Sequence, residues 1–450
     1  MSEKQHSLLW NVIQEHLYLD VYEGLPRSKS QIDSTAGAMT GEANRQANRA
    51  KVYYGLLREP DVMPLPQEEE EEPEMMDGDK PKKKKKKENI MQKKSKSDPN
   101  APILTRMPFP ELRDSDKIEK ARAFRESMKR ANLGPDNIPS ICMYTLMNVS
   151  CQVNVVGVSE DSSMLAAGLS DSKVRVWSLL NHKLKKLKPA ELLNDINREA
   201  EDVLHRIMDD STAETSKELI GHSGPVYGVS FSPDKSMLLS GSEDGSVRLW
   251  SLQTWTCLVV YKGHVYPVWD VQFSPQGYYF ASCGHDRTAR LWTTEQAQPL
   301  RIFQGHFSDV DCLAFHPNSN YIGTGSSDRS LRLWDCLTGA CVRFMTGHKS
   351  AVLCLSFSPD GRFLASGSSD QRVLVWDLAF GHLLAELAHH SSIISTLSFS
   401  REGTILTSAA IGKCIYLVIC YVLDSVESVY VGSMNVLVLI LVGTGSAFQR

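Results

Sequence analysis

Four sets of side chains in this 450-residue chain carry the residue types of a nucleophile, a base and an orienting acid. They are His222, Ser240, Asp244 and Trp250; His264, Ser282, Asp286 and Trp292; His306, Thr324, Asp328 and Trp334; and His348, Ser366, Asp370 and Trp376. A hydroxyl, an imidazole and a carboxylate are the parts of a hydrolytic triad. The spacing argues against that chemistry. Corresponding members of successive sets stand 42 residues apart throughout. Four equivalent copies cannot each be an active site, and polar groups repeated so regularly must find hydrogen-bond partners inside the fold. No other catalytic constellation appears: there is no phosphate-binding glycine loop, no HExxH and no cluster with metal-ligand spacing. The ten cysteines include no CxxC pair and read as reduced thiols, mostly small core residues of a cytosolic or nuclear chain. No catalytic residue, cofactor, metal or small-molecule substrate is expected.

The elements that must position these sets repeat with the same step. Phe231, Phe273, Phe315, Phe357 and Phe399 follow the 42-residue period, and His390 continues the histidine series. Each unit reads as four short strands separated by turns, for example VYGVSF, SMLLSGS, SVRLWS and CLVVYK, with SPDK and EDGS as turns. A period of this length, with Gly-His, an Asp six residues before a Trp, and Trp-Asp at 334–335 and 376–377, is the signature of a WD40 β-propeller. In proteins of that kind the His, Ser or Thr, Asp and Trp form a buried, hydrogen-bonded tetrad within each blade. A degenerate copy precedes the four good ones: Asp171 and Trp177 keep the six-residue step, but Val149 stands where the His belongs. His222 stands 45 positions after Trp177, where the same step in the other units is 14. The extra segment, about 180–215, holds Leu192, Leu193, Ile196, Ala200, Val203, Leu204 and Ile207 at helical spacing and predicts a surface amphipathic helix. Beyond Thr407 the repeat fails, with Gly412 and Val418 at the Asp and Trp positions. The predicted fold is an all-β propeller over 139–410 with about 5.5 of an expected seven blades, followed by a non-repeat apolar tail, 411–450. Asp424 and Glu427 split that tail into runs too short to span a bilayer.

Upstream of the repeats the composition changes. Residues 1–59 predict helices, on the apolar stripe Leu8, Leu9, Val12, Ile13 and Leu17 and on GEANRQANRAKVYYGLL. The extreme N-terminus mixes charged and apolar residues and lacks the apolar core of a secretion signal. Residues 60–138 predict a charged linker, disordered from Asp61 to about Pro102 and followed by one short helix, ELRDSDKIEKARAFRESMKRANL. The formal net charge of −4 argues against coating nucleic acid through overall charge, so any basic function is local. Such a locus exists: Lys82, Lys83, Lys84, Lys85, Lys86 and Lys87 form an unbroken run that reads as a nuclear-localisation signal. The competing reading is a solvated charge run partly neutralised by Glu68 to Glu72.

Several segments carry a narrower resemblance. DVYEGLPRSKSQID, GEANRQANRAKVYYGLLREP, SDPNAP, LGPDNIPSICMYT, GHSGPVYGVSFSPD, YPVWDVQFSPQGYYF and FHPNSNYIGTGSSDRSLRLWD resemble the WD40-bearing TBP-associated factors, the TFIID subunit 5 family. In that family a LisH motif, a helical second domain and a charged linker precede a seven-bladed propeller. Residues 1–59 resemble the C-terminal part of the helical domain. The resemblance implies a nuclear, non-catalytic scaffold whose propeller docks histone-fold TBP-associated factors and other TFIID subunits. Contact with TBP and with nucleic acid would be indirect, and no membrane is involved. Two alternatives share the propeller: a subunit of the SAGA coactivator, to which a paralogue belongs, and a WD40 substrate receptor of a ubiquitin ligase.

Overall fold

The computed structural model describes residues 48, 50–56, 100–102, 107–109, 151–180, 183–188, 207–411, 415–419 and 430–432. All named elements are strands, and all pairings are antiparallel. Blade one contains β1 (Val153–Val158), β2 (Met164–Leu169) and β3 (Lys173–Ser178). Its outermost strand arrives only after a detour: β4 (Leu184–Leu187) pairs with β5 (Met208–Glu214) as a separate ribbon, and β6 (Ser216–Ile220) then closes the sheet as β1-β2-β3-β6. Blade two is β7 (Val226–Phe231), β8 (Met237–Ser242), β9 (Ser246–Ser251) and β10 (Thr256–Lys262). Blade three is β11 (Val268–Phe273), β12 (Tyr279–Gly284), β13 (Thr288–Thr293) and β14 (Arg301–Gln304). Blade four is β15 (Val310–Phe315), β16 (Tyr321–Ser326), β17 (Ser330–Asp335) and β18 (Cys341–Thr346). Blade five is β19 (Val352–Phe357), β20 (Phe363–Ser368), β21 (Val373–Asp377) and β22 (His382–Leu387). Blade six is β23 (Ile394–Phe399), β24 (Ile405–Ala410), β25 (Ile415–Ile419) and β26 (Tyr430–Gly432).

Turn chemistry fixes the meander. The hairpin after each second strand places one residue at positive φ: Ser172, Gly245, Arg287, Arg329 and Gln371, with φ between 64° and 74°. Second strands are the most buried, because neighbouring blades cover both of their faces: all six residues of β12 and of β16 are buried. Aromatic side chains fill the space between sheets, as where Phe280 stacks on Trp292 at 6.1 Å and Tyr261 meets both edge-on. Hydrogen bonds also cross from blade to blade. The Phe273 amide donates to Ser230 Oγ (3.0 Å), Leu313 to Asp270 Oδ2 (3.1 Å) and Phe315 to Gln272 Oε1 (2.8 Å). The inner strands stand side by side in the order β1, β7, β11, β15, β19, β23. Among the described residues β23 does not pack against β1 in that way, so the ring of six sheets has an open side.

Three sequence expectations are corrected. Blade six continues past Ala410: β25 pairs with β24 from Ile405↔Ile419 to Ala409↔Ile415, and β26 pairs with β25. An apolar, β-branched stretch without the Asp and Trp of the repeat can still extend a sheet, since backbone pairing does not need them. The part of the tail from 415 to 432 is therefore built partly into a blade, which makes six four-stranded sheets rather than 5.5. Residues 50–56, placed in a predicted helix, run without helical hydrogen bonding along the propeller, and tertiary contacts override their propensity. The third correction concerns the 60–138 stretch: two pieces of it, Asn100–Pro102 and Met107–Phe109, are packed on the propeller, with Met107 4% exposed. The helix expected over 190–208 lies at 190–206 outside the described residues, and its last residue, Met208, opens strand β5; the short helix of 111–133 and the stripe of residues 8–17 also lie outside the described residues. Where the insert leaves the sheet, its ribbon docks on blade two: Trp255 Nε1 donates to Lys185 O (2.9 Å) and the Leu187 amide to Gln253 O (3.2 Å).

Candidate interaction face of the propeller

Each of the four sets comes together inside its own blade. The histidine lies in the loop leading to the inner strand, the hydroxyl on the second strand, the carboxylate in the following hairpin and the indole on the third strand. His Nδ1 donates to the Asp carboxylate at 2.9, 2.7, 2.9 and 3.0 Å in blades two to five. The hydroxyls of Ser240, Ser282, Thr324 and Ser366 donate to His Nε2 at 2.7 to 2.8 Å. Each of those oxygens accepts the Trp Nε1–H of its set at 2.8 to 2.9 Å. Every polar hydrogen has one acceptor, which fixes the imidazole as the Nδ1–H tautomer. Burial holds His264, His306 and His348 below the ordinary histidine range, against the pull of the paired carboxylates. For the carboxylates burial acts upward, but the hydrogen bonds from His and Ser or Thr outweigh it and hold Asp286 at about 2 and Asp244 and Asp328 lower still.

This arrangement excludes hydrolysis at these residues. The four hydroxyl-bearing residues have 0% exposure, so no substrate can reach them. What they do is structural: each network ties a loop, a hairpin and two strands together. The outer blades show its incomplete forms. Blade one has Ala167 in place of the Ser beside Trp177, and blade six keeps one link, Ser408 Oγ to His390 Nε2 at 2.7 Å.

The surfaces available for contact lie elsewhere. At the second residue of every inner strand the register shifts, leaving Asn154, Tyr227, Trp269, Asp311, Leu353 and Ser395 outside the ladder. A β-bulge re-aims the side chain it frees, and these six stand at the same position of their inner strands. Their positions repeat while their chemistry does not, so sequence reasoning that follows the repeated residues passes over them. At the other end of the inner strands a cavity of about 410 Å³ is lined by Gln272, Phe315, Leu355, Phe357, Leu397 and neighbours, none of them titratable. Two acids of the inner strands are shifted: desolvation pushes Asp270 up to about 7 and Asp311 up to about 6. Burial likewise pushes the thiols of Cys283 and Cys312 well above their ordinary value and that of Cys354 up to about 12, which makes them poor nucleophiles. Among the described residues the cysteines are all free and no group of metal-ligating side chains occurs.

A second surface is occupied by the chain itself. The stretch 50–56, with Asn48, forms a strap across blades four and five. Asn48 makes a two-way amide contact with Phe344 on β18 (3.2 and 3.0 Å). Buried Arg343 donates to Ala50 O (2.6 Å) and to Leu378 O and Ala379 O of blade five (3.1 and 2.9 Å). Asn318 Nδ2 donates to Tyr53 O (2.8 Å) and Gly55 O (3.3 Å), and Val52 is 3% exposed inside the core of blades four and five. Gly361, at φ +77°, admits the strap: a Cβ there would lie 2.4 Å from Tyr54 O. The Gly55 amide then donates to Asn100 O (3.0 Å), and Met107 and Phe109 pack beside Tyr279 on blade three. Neither Asn318 nor Arg343 was singled out from the sequence. Lys82 to Lys87 lie outside the described residues.

Comparison with known proteins matches this geometry. The WD domain, G-beta repeat family matches residues 141–178, 213–251, 255–293, 297–335 and 339–377. From the second match onward each spans the outer strand of one blade and three strands of the next, so every sequence repeat staples two blades. Transcription initiation factor TFIID subunit 5 of Drosophila melanogaster is 50% identical over 268 residues, 58% of this chain and 38% of its own length. The chain thus contains WD40 repeats and is similar in sequence to TFIID subunit 5. The protein of that name from Caenorhabditis elegans is 33% identical over 255 residues, 56% of this chain and 37% of its own length. The SAGA complex/transcription factor TFIID complex subunit of Schizosaccharomyces pombe is 37% identical over 163 residues, 36% of this chain and 23% of its own. This WD40 chain thus spans less than two fifths of the length of these relatives.

Proposed function

We propose that the chain is a non-catalytic scaffold subunit of TFIID, acting in the nucleus in assembly of the RNA polymerase II pre-initiation complex. The observation that carries this reading is the 50% identity to the Drosophila TFIID subunit over more than half of the chain. The propeller docks histone-fold TBP-associated factors and other TFIID subunits, and meets TBP and DNA only through them. Rigid stacked blades suit that role, because they hold an extended surface in one shape without an ordering cost on binding. Tetrads closed to solvent and a cavity without titratable residues fit a mechanism of binding rather than catalysis. Lys82 to Lys87 serve nuclear import.

A second reading has its own observation: one relative is a subunit of both SAGA and TFIID in its printed name, and a human relative, 44% identical over 173 residues, is named for the p300/CBP-associated factor. Affinity purification of the tagged full chain from nuclear extract, followed by mass spectrometry, separates the two. Recovery of TBP with histone-fold factors is expected. Recovery of acetyltransferase subunits without TBP would establish SAGA membership instead, and recovery of neither, with a ubiquitin-ligase adaptor present, would replace both. A reporter carrying residues 78–98 is expected to enter the nucleus and to lose that ability when Lys82 to Lys87 become alanine; equal distribution of the two reporters overturns the import role.

A further inference from the structure

The turn after most inner strands follows one pattern: Ser-Pro-Asp-Lys at 232–235, Ser-Pro-Gln-Gly at 274–277, Ser-Pro-Asp-Gly at 358–361 and Ser-Arg-Glu-Gly at 400–403. Blade four departs from it with His-Pro-Asn-Ser at 316–319, and both new side chains serve the strap. Asn318 Oδ1 accepts the Asn320 amide (3.0 Å), as Asp234 accepts that of Ser236 (3.3 Å) and Asp360 that of Arg362 (3.2 Å). Either residue type therefore satisfies the turn. What the Asn318 side chain adds is Nδ2, which donates to Tyr53 O and Gly55 O, where a carboxylate would set oxygen against two carbonyls. His316 Nδ1 accepts the Asn318 amide (3.2 Å), and its Nε2 donates to Gly361 O (2.8 Å), fixing the glycine over which Tyr54 passes. The other wall of the groove departs from its repeat as well. Arg301 and Arg343 stand 42 residues apart, and each donates to carbonyls in the outer hairpin of the next blade, Arg301 to Leu337 O at 3.2 and 3.1 Å. Arg343 alone of the two also reaches the strap, at Ala50 O.

We propose that this groove is a peptide-binding site for an extended Asn-x-x-x-Val-x-x-Gly segment, filled by the chain's own residues 48–55 and open to the same segment of a second copy when its own is displaced. Recognition is mainly of backbone. The propeller supplies donors for the carbonyls of Ala50, Tyr53 and Gly55, and Tyr321 Oη accepts the Tyr53 amide (3.2 Å). Three side-chain conditions add selectivity. Asn48 pairs with both backbone groups of Phe344, as one more strand beside β18 would. Val52 enters the core of blades four and five. Gly55 must lack a side chain, because a Cβ there would lie 2.7–2.9 Å from the backbone of Asn100 and Ala101. Asn318 and Arg343 are 1% and 2% exposed, so the groove holds buried donors that need the carbonyls of an occupant. All of these contacts are non-covalent. The chain's own segment takes precedence through its attachment, which raises its effective concentration at the groove. The site is the same whichever complex the chain joins.

Two full-length variants separate segment from groove. Val52→Asp spoils the segment and leaves the groove, whereas Asn318→Asp spoils the groove, leaves the segment and keeps the Oδ1 acceptor that the turn needs. A fluorescein-labelled peptide of residues 47–57, ANRAKVYYGLL, is expected to bind the Val52→Asp chain saturably in fluorescence anisotropy. Binding at least ~10-fold weaker is expected for the native chain, whose own segment competes, for the Val52→Asp/Asn318→Asp chain, and for a peptide carrying Val52→Asp. On an affinity column, tagged Val52→Asp chain is expected to retain untagged Asn318→Asp chain but not untagged Val52→Asp chain, a comparison that cancels any other self-association. If the Val52→Asp chain does not melt cooperatively, the peptide is offered instead to the native chain cut at a protease site inserted between residues 57 and 99, where it must exchange for the severed segment. Four results overturn the proposal: no peptide binding to the folded Val52→Asp chain or no exchange into the cut chain, equal binding to native and Val52→Asp chains, binding indifferent to Asn318→Asp, or equal retention of the two untagged chains.

Discussion

At the scale of single residues, burial decides whether a polar group stabilises or merely persists. Asp328 accepts from His306, from the hydroxyl and the amide of Ser330 and from the Phe307 amide, so its loss strands four donors. Asp328→Ala is expected to cost about 1–3 kcal/mol, read as a melting temperature lower by several degrees; unchanged melting would remove the tetrad from the list of stabilising elements. Asp270 behaves oppositely. Burial raises its pKa to about 7, so between roughly pH 4 and 7 the folded chain binds a proton that the unfolded chain releases, and stability from this group falls as pH rises. Asp270→Asn removes that dependence. The melting temperature of the variant relative to the native chain should therefore climb as pH rises from 5 to 7.5 and level off above; a constant difference would mean that Asp270 is ionised throughout. The His, Ser or Thr, Asp and Trp sets were legible in sequence because the repeat prints them four times over. Asp270 was not, since nothing in its neighbourhood in sequence shows that the Leu313 amide of the next blade needs an acceptor.

At the scale of elements, the strap is held chiefly by backbone groups, and this is why sequence pattern could not find it. A helix or strand announces itself through periodic side chains, whereas the strap's carbonyls at Ala50, Tyr53 and Gly55 look like those of any other residue. Its anchors are on the propeller, hundreds of positions later. Asn318→Ala should leave the carbonyls of Tyr53 and Gly55 without their buried donor, at about 1–3 kcal/mol of local stability. Hydrogen exchange is expected to accelerate across 51–56 while the amides of β16 and β17 keep their protection; if all of blade four loosened together, the strap would be an integral part of that blade. Where the predicted helix can be compared with the structure, at 50–56, long-range contacts at Ala50, Tyr53 and Gly55 override local propensity.

Across the whole molecule, the number of blades was the quantity least accessible to sequence. Repeat grammar ends at Thr407, yet pairing continues to Gly432, because a sheet edge accepts any extended backbone. The ring's open side has a chemical consequence. Gly157 approaches Val229 O of blade two at 3.2 Å for a Cβ placed on it, so by strand alternation Val156 and Val158 face away, and Val158 is 53% exposed. An apolar face of this kind seeks cover. Sedimentation velocity should show the native chain associating as concentration rises, and Val158→Lys should shift that association to higher concentration; an identical profile for both chains would place the sticky surface elsewhere.

The hydrogen bond from the Gly55 amide to Asn100 O brings the two ends of the acid- and lysine-rich stretch to a single point on the propeller. That stretch is consequently a handle and not a leash. A protease that cuts between residues 57 and 99 leaves a nicked molecule whose two pieces remain clasped through Asn318, Arg343 and Val52, because the clasp lies on the near side of the cut. A protein that grips the lysines pulls on blades four and five together, at a fixed place. Shortening the stretch would leave unchanged where the strap at residues 50–56 sits.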